Sequence, residues 1–180
     1  MKKTAHIGSK KGFTILYAVL IASLLLSIGV GIYNISIKDL LLSSSASASQ
    51  IAVFASDSGL ECALFWDLRG GVGASSIFAT SSASTIYSGV ADCGNNDIVS
   101  GVGIGDAPSV SAWTTDTPAR TGNTATTIFT MSLENSACSQ VSISKDSSSG
   151  TLHTIVDARG YNTCDTTNPR RVERGLELTY

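Results

Sequence analysis

The chain has 180 residues, 43% of them hydrophobic and 14% charged, with a formal net charge of −2. Such a composition suits one folded domain of ordinary size plus an appendage, and the mildly acidic balance gives no electrostatic ground for a nucleic-acid site. The charge is placed unevenly: between Phe13 and Ser56 only Lys38 and Asp39 carry any, so an apolar rod precedes a polar head rich in Gly, Ser and Thr.

Residues 1–12 hold Lys2, Lys3, Lys10 and Lys11 and no acid, and their removal would take the net charge to about −6. The uncharged run 13–37 follows directly. At about 1.5 Å per residue it reaches roughly 37 Å as a helix, longer than the roughly 30 Å hydrocarbon core of a bilayer. It can therefore span a membrane, and the lysines before it place the leader in the cytoplasm and the head outside.

Three fates are open to such a segment. A secretory signal peptide has an apolar region of about 7 to 15 residues and then a small-residue cleavage site; this run is longer, although SSSASASQ at 43–50 carries a small-x-small pattern. An uncleaved single-pass anchor is the second. The third is carried by Gly12, Phe13 and Thr14, which follow the short basic leader and open the apolar run. This arrangement resembles the prepilin cleavage site of type IV pilins and type II secretion pseudopilins. The resemblance implies that a membrane peptidase cuts after Gly12 on the cytoplasmic side and methylates Phe13. It further implies the prepilin peptidase, inner-membrane lipid and other pilin or pseudopilin subunits as partners, with the protein passing from the inner membrane into a pilus or pseudopilus.

One position departs from that family. Its members usually carry glutamate at the fifth mature residue, where the carboxylate neutralises the terminal ammonium of a neighbouring subunit; here that residue is Tyr17. A phenol accepts a hydrogen bond but does not cancel a cation. Within the family the known exception is a minor subunit at the filament tip, so Tyr17 points to a tip-proximal minor subunit. It is equally readable as an interfacial aromatic.

Past the span, apolar or small residues recur at Ile37, Leu41, Ser44, Ala48, Ile51, Ala55, Cys62 and Phe65, the spacing of one helical face. The rod is thus expected to continue as an amphipathic helix over 38–66, about 54 residues and about 80 Å counted from Phe13, and to break at Arg69-Gly70-Gly71. Gly29 and Gly31 each weaken it by up to about 1 kcal/mol relative to alanine. The segment ASDSGLECALFWD at 55–67 resembles the end of the long helix in minor pilins. Asp57 and Glu61 lie one turn apart on it, and they read as a solvated edge.

The region 67–125 has little pattern and is read as a variable loop, in which Trp113 is the one tryptophan; an unpatterned connection this long is uncommon inside a compact domain unless it is functional or variable. Strands are expected at 126–133, 140–145, 151–158 and 172–180. Their inward residues would be Phe129, Met131 and Leu133; Val141 and Ile143; Leu152, Thr154, Val156 and Ala158; and Val172, Leu176, Leu178 and Tyr180. The fold class is therefore α+β, a pilin-like long N-terminal helix on a roughly four-stranded antiparallel sheet.

Cys62, Cys93, Cys138 and Cys164 form an even set without a CxxC pair, which favours disulfides over zinc. Of the three connectivities, Cys138–Cys164 across a hairpin and Cys62–Cys93 is the favoured one. Arg170, Arg171 and Arg174 are the basic cluster of the head, a solvated strand edge or a docking point for an acidic neighbour. Asp92, Asn95, Asn96 and Asp97 offer oxygens to calcium without the spacing of an EF-hand. His153 is the one imidazole left once the leader goes; no GxSxG or HExxH brackets it, and the glycine runs lack a phosphate-loop lysine. No catalytic residue, metal site or cofactor is expected, and the chain reads as a structural subunit, with a membrane-tethered or secreted binding protein as the rival.

Overall fold

The computed structural model describes residues 11–70, 76–81, 87, 89–94, 96–100, 120–133 and 136–180. Most of the leader, Asn95, Trp113 and most of the glycine runs lie outside them. The element order is a helix α1 (Lys11–Leu68), then β1 (Asp92–Cys93), β2 (Asn96–Asp97), β3 (Arg120–Thr121), β4 (Thr124–Ser132), β5 (Cys138–Asp146), β6 (His153–Tyr161) and β7 (Glu173–Thr179). Two compact units divide the chain, Met1–Ser45 and Ala46–Tyr180. The first consists, in its described part, of helix alone.

In the second unit the end of α1 packs on a five-stranded antiparallel sheet in the order β3-β4-β5-β6-β7, in which β3 is only two residues long. The expected helix on four long antiparallel strands is therefore present. Register explains the core. Phe129 stands opposite Val141 and Val141 opposite Ala158, while Thr127, Ile143, Val156 and Leu178 form the next row. Because side chains alternate across a strand, each row lies on one face, and in β4, β5 and β6 this is the buried face.

The boundaries shift from the expectation where backbone chemistry intervenes. Leu133 leaves β4 because its amide donates to the Ala137 carbonyl at 2.8 Å, closing a turn. Thr151 and Leu152 belong to the connection before β6, and Leu152 is exposed. β7 is the sheet's edge, so its inward Leu176 and Leu178 are only partly covered.

The face of α1 that meets the sheet differs from the expected one. Ala55 is buried as expected, but Ile37, Leu41, Ile51 and Phe65 are exposed, and the inward residues are Ala52, Ala55, Ser56, Gly59 and Ala63. The reason is distance of approach. A Cβ on Gly59 would lie 2.8 Å from Val141 Cγ2, and one on Gly160 in β6 would fall on the helix backbone at Ala52 and Ser56. Helix and sheet thus meet nearly backbone to backbone, which only small residues permit.

The stretch read as a loop contributes to the core. Ile77, Phe78, Ala91, Cys93 and Ile98 are buried with Phe129, Met131 and Val141, and the Phe78 and Phe129 rings stack at 6.2 Å. A disulfide joins Cys62 of α1 to Cys93 of β1, with Cα atoms 5.9 Å apart. Beside it the Trp66 indole donates to the Asp92 carbonyl at 3.1 Å. The expected Cys138–Cys164 bridge is not formed: both are thiols, Cys138 buried and Cys164 exposed.

Candidate functional site: the exposed apolar helix

From Phe13 to Leu42 α1 presents apolar side chains to its surroundings on every face. Phe13 is 76% exposed and Tyr17 59%, and large aliphatic residues including Leu16, Leu20, Leu24, Ile28, Ile32 and Leu40 are exposed alike. This helix is long and apolar enough to cross a membrane. Water would penalise such a surface heavily, since each large side chain brought out of water contributes about 1.5 to 3 kcal/mol; hydrocarbon would not.

Two serines of the run, and Ser45 just beyond it, bond within the helix. Ser23 and Ser27 donate their hydroxyls to the carbonyls of Leu20 and Leu24, each at 2.8 Å, and Ser45 donates to Leu42 at 2.9 Å. With backbone amides bonded within the helix, these serines need no water, the condition a lipid-embedded segment must meet. Gly29 has open space around its missing side chain and floors a shallow hollow lined by Ala22, Leu25, Leu26, Val30 and Tyr33. Gly12 lies within the described helix, one residue before Phe13.

In the head, the residues that could suggest chemistry are engaged in holding structure. His153 Nε2 lies 3.2 Å from Thr151 Oγ1, opposite Asp146 in register. Asp146 meanwhile accepts from the Ser148 amide at 2.8 Å, and the Ser148 hydroxyl, followed by that amide, holds its carboxyl below the usual range. The group is an exposed hairpin turn with no wall to exclude water or orient a substrate. Two of the residues considered for calcium, Asn96 and Asp97, have their side-chain oxygens engaged in hydrogen bonds. Asn96 Oδ1 accepts from Ser132 at 3.1 Å. Asp97 Oδ1 accepts from the amides of Ala91 and Val99, and the Ser100 hydroxyl donates to Oδ2 at 2.5 Å. Among the described residues no cluster of His, Cys, Asp and Glu is placed to hold a metal.

The arginine cluster is also partly internal. Arg171 lies 3.7 Å above the Tyr161 ring, and Arg174 Nε donates to Ser49 Oγ on α1 at 2.8 Å. Asp57 and Glu61 are exposed, as a solvated helix edge requires.

The site that sequence reasoning missed is a buried ion cluster. Asp67, at the end of α1, pairs with Lys145 of β5, and both side chains are within 3% of full burial. The Ser76 hydroxyl donates to the same carboxylate oxygen, and the Tyr180 hydroxyl donates to the other. Lys145 Nζ also lies 2.9 Å from Ser76 Oγ. A serine beside a lysine invites comparison with a nucleophile and its base, but here the Lys145 ammonium and the Ser76 hydroxyl are both turned to the Asp67 carboxylate inside the fold. The cluster pins four segments together.

It also sets an alkaline limit. Burial, then the hydrogen bond to Asp67, pushes the Tyr180 phenol above its ordinary 10.0, and burial with Glu173 raises Tyr161 in the same direction. The unfolded chain therefore loses these protons first, so the folded state binds more protons and stability, complete below about pH 9, falls as pH rises through about 10. Urea midpoints of the full chain in detergent should drop between about pH 8 and about pH 10.5, and Tyr180→Phe should flatten that drop.

No protein family, no curated protein and no solved structure matches this chain.

Proposed function

We propose that the chain is a non-enzymatic minor subunit of a type IV pilus-like or type II secretion-like filament. It is made with a cleavable basic leader and held in the inner membrane by residues 13–37 with its head outside. It is drawn into the filament by side-by-side packing of such helices, and it needs no cofactor and no nucleic acid. The observation that carries this reading is the uncharged, fully exposed helical surface that begins at Phe13, directly after Gly12 and the four lysines of the leader. Supporting it are the internally bonded serines of the span and the α+β head built on the continuation of the same helix. Tyr17 in place of a carboxylate supports a tip-proximal position. The same residue favours a second reading, an anchored outward-facing binding protein that joins no filament, because it removes the charge pairing that would dock one subunit on the next.

The mature N-terminus separates the two. In cells that possess a prepilin peptidase, mass spectrometry of the purified chain should find N-methylated Phe13. An intact Met1 would establish the plain anchor, and a start at Ser47 or Ser49 would establish a signal peptide; either would overturn the filament reading.

A further inference from the structure

The two unbridged cysteines are not scattered. Cys138 is the first residue of β5, buried, and stands opposite Tyr161, the last residue of β6. Three residues beyond Tyr161 the chain has turned back: the Cys164 amide donates to the Ser136 carbonyl at 2.9 Å, two residues before Cys138. Cys164 and Arg171 both lie near enough to Cys138 to act on its thiol. The segment between β6 and β7 is already closed on itself. The Val172 amide donates to Asn162 Oδ1 at 2.7 Å, Asn162 Nδ2 donates to the Arg170 carbonyl at 3.2 Å, and Arg171 Nε donates to the Thr163 carbonyl at 3.3 Å.

We propose that Cys138 and Cys164 are a thiol–disulfide exchange site in which exposed Cys164 reacts first with a disulfide oxidant and buried Cys138 then resolves the adduct, locking segment 162–172 to the start of β5. In the first step the Cys164 thiolate attacks one sulfur of the oxidant, forming a mixed disulfide and expelling one thiolate. In the second the Cys138 thiolate attacks Cys164 Sγ and expels the other half. The two protein thiols lose two protons and two electrons, and the oxidant is reduced to two thiols.

The order follows from access. Cys164 is exposed and so open to a bulky oxidant. Cys138 is enclosed, and burial followed by its contact with Cys164 pushes its thiol up to about 12. Its resolving attack is therefore the slow step. The prior hydrogen-bonded closure of 162–172, with the Cys164 amide held on the Ser136 carbonyl, keeps Cys164 beside the start of β5 while that step waits.

The test uses the purified full chain in detergent, reduced and then exposed to glutathione disulfide, with samples acid-quenched over time and mapped by peptide mass spectrometry. The expected course is a glutathione adduct on Cys164 that rises and then gives way to a linked Cys138–Cys164 peptide, lighter than the dithiol by two hydrogens. Cys138→Ser should retain the adduct at Cys164, and Cys164→Ser should acquire none at Cys138. A first adduct on Cys138, linkage of either residue to Cys62 or Cys93, or both thiols remaining open to alkylation would overturn the proposal. Formation of the bridge in the cell rests on the outward-facing head proposed above, but this assay does not, so failure of the N-terminal test leaves its outcome standing.

Discussion

Replacing Gly160 by alanine is expected to unseat the helix from the sheet, costing about 3 kcal/mol and lowering the thermal midpoint of the head by roughly 10 °C. The added methyl would fall on the backbone of Ala52, Ala55 and Ser56. No side chain at that point can turn aside, so either α1 shifts or β6 bends. The control lies one strand over. Gly175 pairs with Arg159, and a Cβ there would meet only the Ala158 carbonyl oxygen, at 3.9 Å. Gly175→Ala should therefore be neutral or gain up to about 1 kcal/mol from the stiffer backbone. Both variants are measured as full chains in detergent, by head unfolding followed in the near-ultraviolet circular dichroism. Equal midpoints for the two would mean that helix and sheet are not in the close contact described.

That close contact also marks the limit of what the sequence discloses. Period-two alternation in β4, β5 and β6 was legible because both sides of those strands face different surroundings, and the register rows bury the residues that the alternation selects. The helix was legible from its length and its lack of charge. Its inward face was not, because a stripe of Ala52, Ala55, Ser56, Gly59 and Ala63 has low hydrophobicity while Ile51, Phe54 and Phe65, which are exposed, have high. A search for the greasiest face finds the wrong one wherever the partner comes close enough to demand small residues. Ile77, Phe78 and Ile98 escaped for another reason: single apolar residues in irregular chain have no period to detect. Of the candidate site, the apolar run and its start after Gly12 were legible as composition. The internal bonding of Ser23 and Ser27 required coordinates.

Exposure on both parts of α1 bears on the filament reading proposed above. Past the span, Ile51, Val53, Phe54, Phe65 and Leu68 remain exposed on the helix although the sheet covers its opposite side. One helix thus offers lipid-compatible surface over 13–42 and further apolar side chains along the stretch that backs the sheet. On that reading, a chain that left the bilayer alone would put the whole first surface into water. Leaving together with other such helices avoids that cost, which is the physical content of the filament reading and the reason a lone ectodomain would keep its anchor in place.

Removing either member of the buried pair is expected to be the most damaging single change in the head. Asp67→Leu leaves the Lys145 ammonium within 3% of full burial and without its carboxylate, and Lys145→Met leaves the carboxylate with only the Ser76 and Tyr180 hydroxyls. Either should cost about 3 to 5 kcal/mol, the penalty of an uncompensated buried charge. The sequence held one sign of the pair: Lys145 falls two residues after Ile143 and four after Val141, in phase with the buried face of β5, and a lysine in that phase requires a counter-ion. Replacing both, as Asp67→Leu with Lys145→Met, removes the two desolvation costs together and should recover much of the loss, giving a double-mutant coupling of several kcal/mol. Tyr180→Phe, which deletes one neutral donor to Asp67, should cost only about 1 to 2 kcal/mol. Urea unfolding of the four full-length variants in detergent decides it. If Lys145→Met alone lost less than about 1 kcal/mol, or if the double variant were as unstable as the sum of its parts, the pair would be no more than an exposed salt bridge in effect.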